Sequence, residues 1–98
     1  MSYTIDPERH EIRALRGVTS WKGKHVLEIG SGEGRLARRL AALGARVEGI
    51  DPDSAQVQEA RRATPPRFAR RIRYRVSGAE RLSYPDHTFD IAIFGWSL

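Results

Sequence analysis

The chain has 98 residues, no cysteine and a net charge of +5, and of its 17 basic residues only Lys22 and Lys24 are lysines. That length suits one core, so a single domain over residues 1–98 is expected, with an N-terminal helix and turn over 1–22 and a Rossmann-like α/β core over 23–98. With no run of about 18 apolar residues, no apolar leader and no thiol, a membrane span, a secretory signal and a disulfide framework are disfavoured. His10, His25 and His87 lack metal-ligand spacing, and the cytoplasm is the expected compartment.

Asp6-Pro7-Glu8 reads as a helix start, with an N-cap, a proline at the first helical position and an acid in the first turn; Gly17 ends that helix. Trp21 to Lys24 forms a turn into a strand over Val26 to Ile29. The alternating glycines Gly30, Gly32 and Gly34 follow, and Leu36, Leu40 and Leu43 then recur at helical spacing, predicting about three turns that stop at Gly44. Val47 to Ile50 is a second strand, ending in Asp51. Pro52-Asp53-Ser54 caps a helix whose apolar side is thin (Ala55, Val57, Ala60), and Thr64-Pro65-Pro66 terminates it. Ile72 to Val76 alternates strictly, which predicts a strand with one wet face near a sheet edge. After a turn at Asp86-His87-Thr88, Phe89 to Phe94 reads as a strand buried on both faces. The order α-β-α-β-α-β-β calls for right-handed crossovers and a doubly wound parallel sheet.

The glycine segment carries the most chemistry. A glycine turn between a strand and a helix lets a ligand lie against bare backbone while the unpaired N–H groups of the first helical turn point at a negative group. The dinucleotide fingerprint G-x-G-x-x-G would need glycine where Arg35 stands, and the phosphate loop G-x-x-x-x-G-K-[ST] lacks its lysine and hydroxyl. Nineteen residues after Gly32, Asp51 stands where an acid can accept from both hydroxyls of a ribose; its alternative role is to cap the helix after Pro52. The arginines at 61, 62, 67, 70, 71, 73 and 75 form a basic stripe. With only Phe68 and Tyr74 as interleaved aromatics, a solvated helix end and loop is the simpler reading, ahead of a nucleic-acid footprint.

The segment Glu28-Ile29-Gly30-Ser31-Gly32-Glu33-Gly34 resembles the E/D-x-G-x-G-x-G signature of class I S-adenosylmethionine-dependent methyltransferases. The block Val76-Ser77-Gly78-Ala79-Glu80-Arg81-Leu82-Ser83-Tyr84-Pro85-Asp86-His87-Thr88-Phe89-Asp90 is similar to the third motif of their type 11 group, the ubiquinone and menaquinone biosynthesis methyltransferases. With Asp51 between them, the resemblance runs from about Val26 to the C-terminus. It implies a sheet of order 3-2-1-4-5-7-6 with S-adenosylmethionine across the carboxyl ends of strands 1, 2 and 4. Gly30, Ser31 and Gly32 would then lie along the methionine moiety, Glu28 would orient the loop or a water near the amino group, and Asp51 would hold the ribose. Pro52 would flank the adenine, Ala79 and Glu80 would sit at its edge, and Phe94 would offer its carbonyl. Gly78 stands where the group usually has an aspartate for the adenine amine, so one charge-assisted hydrogen bond, worth about 1.5 to 3 kcal/mol, is missing.

The same resemblance implies a methyltransferase acting on a small molecule by in-line displacement. Such a reaction asks for proximity and orientation, and for a base only if the acceptor must lose a proton; His10 and His87 are candidates for that base, His25 reads as structural, and no catalytic residue is assigned. The chain ends after the fourth strand of the seven. An inactive N-terminal part is therefore expected, with that strand an exposed edge prone to self-association. A binding module without catalysis, an RNA methyltransferase and a nicotinamide-dependent oxidoreductase are the rival readings.

Overall fold

A computed structural model describes residues 3–5, 20–78, 84 and 88–95. Its strands are β1 (Tyr3–Ile5), β2 (His25–Ile29), β3 (Arg46–Asp51), β4 (Ile72–Val76) and β5 (Ile91–Phe94). Helix α1 (Arg35–Ala42) joins β2 to β3, and α2 (Ser54–Ala63) with a 3-10 turn at Pro66–Phe68 joins β3 to β4. All pairings are parallel and the sheet order is β1-β5-β2-β3-β4. The chain winds outward from β2 to β3 and β4, then crosses to the other side of β2 for β5; the Rossmann-like α/β reading holds.

Alternation along the strands divides the sheet into two faces. Val26, Val47, Ile72, Ile91 and Ile93 pack with Leu36, Ala37, Leu40 and Ala41 of α1, with Val57 and Ala60 of α2, and with Trp21 and Phe68. On the opposite face Leu27, Ile29 and Ile50 are covered by Tyr84, Phe89 and Phe94. Helix α2 starts where Asp53 accepts from the Ala55 N–H, and it stops at Thr64 before the proline pair. Asp53, not Asp51, is the N-cap.

Four expectations are corrected. Helix α1 has eight residues, and Gly44 at φ 96° turns the chain so early that Leu43 is left 50% exposed instead of buried. The last strand begins at Ile91, and Ala92 and Phe94 are only half-buried, so one of its faces is not fully covered. That strand is also not an edge, because Tyr3–Ile5, unforeseen as a strand, pairs with it in the register Tyr3↔Ile91, Thr4↔Ala92, Ile5↔Ile93. Self-association through an exposed fourth strand thereby loses its physical basis. The predicted helix from Asp6 and most of the Asp86 turn lie outside the described residues.

Asp90 fixes where β5 joins. Its carboxylate accepts from the His25 N–H at 2.8 Å while its own N–H donates to the His25 carbonyl at 2.8 Å, and the His25 ring lies 4.6 Å from that of Phe89. Asp90→Ala removes the charged half of this pairing at an exposed position, and urea denaturation should show a loss of about 1 kcal/mol with an unchanged denaturant slope.

Tyr84 donates its hydroxyl to Glu48, with the Arg75 guanidinium 5.3 Å from its ring. Burial, reinforced by Glu48, pushes the phenol up to about 12. An unfolded tyrosine titrates near 10, so this contribution to stability is full below about pH 10 and is lost as the pH rises towards about 12. Tyr84→Phe should flatten that decline in urea melts taken across the interval.

Candidate functional site

Because every strand is parallel, the carboxyl ends of β2, β3, β4 and β5 share one pole. The crevice between β2 and β5 is where the winding reverses, the position at which open α/β sheets take ligands. The register aligns Ile93, Glu28, Gly49 and Tyr74 in one row across the helix-covered face, and Phe94, Ile29 and Ile50 in the next.

The glycine turn rises from β2 and is tied to the end of β3. The Gly30 and Ser31 N–H groups both donate to the Ile50 carbonyl, at 2.8 and 2.9 Å, and the Gly32 N–H donates to Asp51 Oδ2 at 2.9 Å. Asp51 Oδ1 accepts from the Asp53 N–H at 2.9 Å. Each carboxylate oxygen thus holds one backbone donor and retains acceptor capacity for another. Glu33 and Arg38 brace the turn from outside through a salt bridge of 2.9 Å and a bond from Arg38 to the Glu33 carbonyl.

The glycines serve two purposes. Gly32, at φ 57°, has open space where a Cβ would stand, so the turn presents bare backbone outward. Gly34 and Gly49 face inward: a Cβ on Gly34 would overlap the Tyr74 hydroxyl, and one on Gly49 would lie 2.9 Å from Ser31 Cβ and 3.0 Å from the Tyr74 ring. Tyr74 is therefore a pillar from β4 beneath the turn, and burial pushes its phenol above the ordinary tyrosine range. Gly95 leaves room for Glu28, whose Oε2 would be 2.5 Å from a Cβ there.

Helix α1 begins at Gly34, at φ 89°, without a side-chain cap and without an acid in its first turn. The dipole of such a helix favours a negative group at this end. Glu28, 2% exposed, lies under the same turn, and Asp51 is half-buried at its rim. The pole can hold an anionic group at the helix start, a cationic one near Glu28 and a diol at Asp51.

Of the residues singled out from sequence, Glu28, Gly30, Ser31, Gly32, Asp51, Pro52, Gly78 and Phe94 meet at this pole, whereas Ala79 and Glu80 lie outside the described residues. The Ser31 side chain is buried over Gly49. His25 lies at the amino end of β2, away from this pole, with its ring against Phe89, and His10 and His87 lie outside the described residues. Tyr74, Gly49 and Gly95 were not anticipated. Gly95 had a signal, a glycine directly after an apolar strand; Tyr74 had none beyond its place in an alternating strand.

Among the described residues no helix is long and apolar enough to cross a membrane, and no group of three or more metal-ligating side chains occurs. A family model described as "Methyltransferase domain" matches residues 26–98. The ubiquinone biosynthesis O-methyltransferase of Methylocella silvestris is 40% identical over 72 residues, covering 74% of this chain and 28% of that protein. The demethylmenaquinone methyltransferase of Tropheryma whipplei is 37% identical over 84 residues, covering 86% of this chain and 33% of that protein. The chain thus spans about a third of the length of the curated relatives it matches. The crystal structure of an S-adenosylmethionine-dependent methyltransferase from Mesorhizobium loti superposes with a TM-score of 0.74 at 29% identity, covering 86% of this chain and 38% of that one.

Gly34→Ala would impose both a positive φ and the overlap with Tyr74, and should cost about 2 to 4 kcal/mol of stability in chemical denaturation. Adding Tyr74→Phe should return part of that loss; strict additivity of the two substitutions would mean that the pillar does not bear on the turn.

Proposed function

The chain belongs to the methyltransferase domain family, and from that membership we propose that its glycine-turn pole binds S-adenosylmethionine for methyl transfer to a small-molecule acceptor. The residues fit the group. Open space over Gly32 and the uncapped start of α1 suit the methionine end, with its carboxylate towards the helix N–H groups. Glu28 supplies negative charge beside the ammonium and sulfonium. The Asp51 carboxylate, oriented by the Gly32 and Asp53 N–H groups, accepts from the ribose hydroxyls, and Pro52 and the Phe94 carbonyl border the adenine.

The observation that carries this reading is the bond from Gly32 to Asp51, which joins the methionine and ribose parts of the pole into one rigid surface. When bound, S-adenosylmethionine supplies a methyl group on a good leaving group. What the chain contributes is orientation, by holding both ends of the cofactor so that the methyl faces one direction. Residues 23–98 would form the cofactor-binding part of a cytoplasmic enzyme, and Gly78, lacking a carboxylate, would leave the adenine amine to water or to Glu80. An acceptor that must lose a proton would need a base, for which His10 and His87 remain the candidates.

Calorimetry with S-adenosylmethionine, S-adenosylhomocysteine and NAD tests the reading. The first two should bind and NAD should not; heat with NAD alone would overturn it. Asp51→Ala should weaken binding about 30- to 100-fold, equivalent to about 2 to 3 kcal/mol, whereas Asp53→Ala should cost about 1 kcal/mol of stability with little change in affinity. Gly32→Val should abolish binding, because it fills the open space and is strained at this φ.

A further inference from the structure

The parallel topology that gathers the carboxyl ends of the strands at one pole gathers their amino ends at the other, and there the sequence places cations. Lys22 and Lys24 precede β2, Arg46 opens β3, and Arg67, Arg70 and Arg71 lie on the path into β4, all six of them exposed. These loops are bonded to one another, with Gly23 N–H to the Gly44 carbonyl at 2.9 Å, Arg46 N–H to the Lys24 carbonyl at 2.8 Å and Val47 N–H to the Arg71 carbonyl at 2.7 Å. Between them runs a groove of about 570 Å³ lined by Lys22, Ala42, Leu43, Arg46, Arg70 and Arg71, together with two glycines. Among the described residues no carboxylate lines it. Asp90, which precedes β5 at this end of the sheet, accepts from the His25 N–H.

The middle of this basic surface is aliphatic. Leu43, the C-cap of α1 just before Gly44, stands 50% exposed. We propose that this pole is a peripheral docking surface for an anionic lipid bilayer, with Leu43 entering the headgroup region and the surrounding arginines and lysines on the lipid phosphates. Arginine forks suit phosphate oxygens, and a basic ring around an apolar tip combines the two attractions that bring a protein onto an anionic membrane. A nucleic acid would use the cations alone and leave Leu43 unexplained. Among the described residues no aromatic lines the groove, and Trp21 and Phe68 are buried, so a stacking platform for bases is not offered there. The surface lies at the end of the sheet opposite the glycine turn, so a chain seated on a membrane would keep that pole open to the aqueous phase.

Vesicle flotation of the full chain decides the matter. Vesicles of equal parts phosphatidylserine and phosphatidylcholine should carry the chain at low salt, vesicles of phosphatidylcholine alone should not, and added salt should release it. The double reversal Arg46→Glu and Arg70→Glu should lower partitioning at least tenfold, and Leu43→Ser should lower it severalfold at unchanged charge. All three positions are exposed, so unchanged far-UV circular dichroism should accompany these losses. Failure to float with anionic vesicles would overturn the proposal, as would floating unaffected by the charge reversals. Full retention by Leu43→Ser, or tighter binding to an RNA duplex than to the vesicles, would do the same.

Discussion

Three consecutive N–H groups, those of Gly30, Ser31 and Gly32, are held by the end of a neighbouring strand, the first two by the Ile50 carbonyl and the third by the Asp51 carboxylate. Without those acceptors a turn so rich in glycine would sample many conformations, since glycine loses more freedom on ordering than any other residue. With them the turn is fixed against β3, and α1 starts in a set direction. The Ile29↔Ile50 register is what brings the acceptors into reach, so the pole depends on the pairing of β2 with β3. Asp51 is thus a structural acceptor before any ligand arrives, and a side chain already oriented for two backbone donors loses little further freedom when it accepts from a ligand.

The second constraint is spatial. A row of residues running Glu28, Gly49 and Tyr74 passes under the turn, and its middle member must be glycine for Ser31 and Tyr74 to close over it. The third glycine of the motif, Gly34, answers the same pillar from above. A motif that reads as a ligand cradle is therefore two devices in one: Gly32 keeps the outer surface bare, while Gly34, together with Gly49 in the strand beside it, allows close packing underneath. Gly95 does the same for Glu28 at the end of β5.

The strands and helices from Val26 to Val76 were legible because each is punctuated by residues with a local physical effect: the glycine turn, Gly44, Asp53 and the proline pair. Order within the sheet followed from the resemblance, and the candidate site residues from three motifs in register. What escaped notice was tertiary. Leu43 fits the helical period, but Gly44 turns the chain before that turn of helix is completed; three residues at Tyr3–Ile5 are too few to show an alternation; and Tyr74 shows its part only once β4 lies beside β3. The Ser31 side chain lies over Gly49, an orientation the motif does not specify, because a side chain on a glycine-rich turn can face either way until its neighbours are known.

Charge follows the winding. Among the described residues, the acids Glu28, Glu33, Asp51 and Asp53 lie where β2 and β3 end, and Lys22, Lys24, Arg46, Arg70 and Arg71 lie where strands begin. The proposed ligand surface is the turn fixed by Asp51. An amide-resolved NMR titration of the chain with S-adenosylhomocysteine addresses it most directly. Shifts concentrated at Gly30 to Arg35 and at Asp51 to Asp53, with Lys22, Arg46 and Arg70 unmoved, are the predicted result; saturable shifts that leave Gly32 and Asp51 untouched would contradict it.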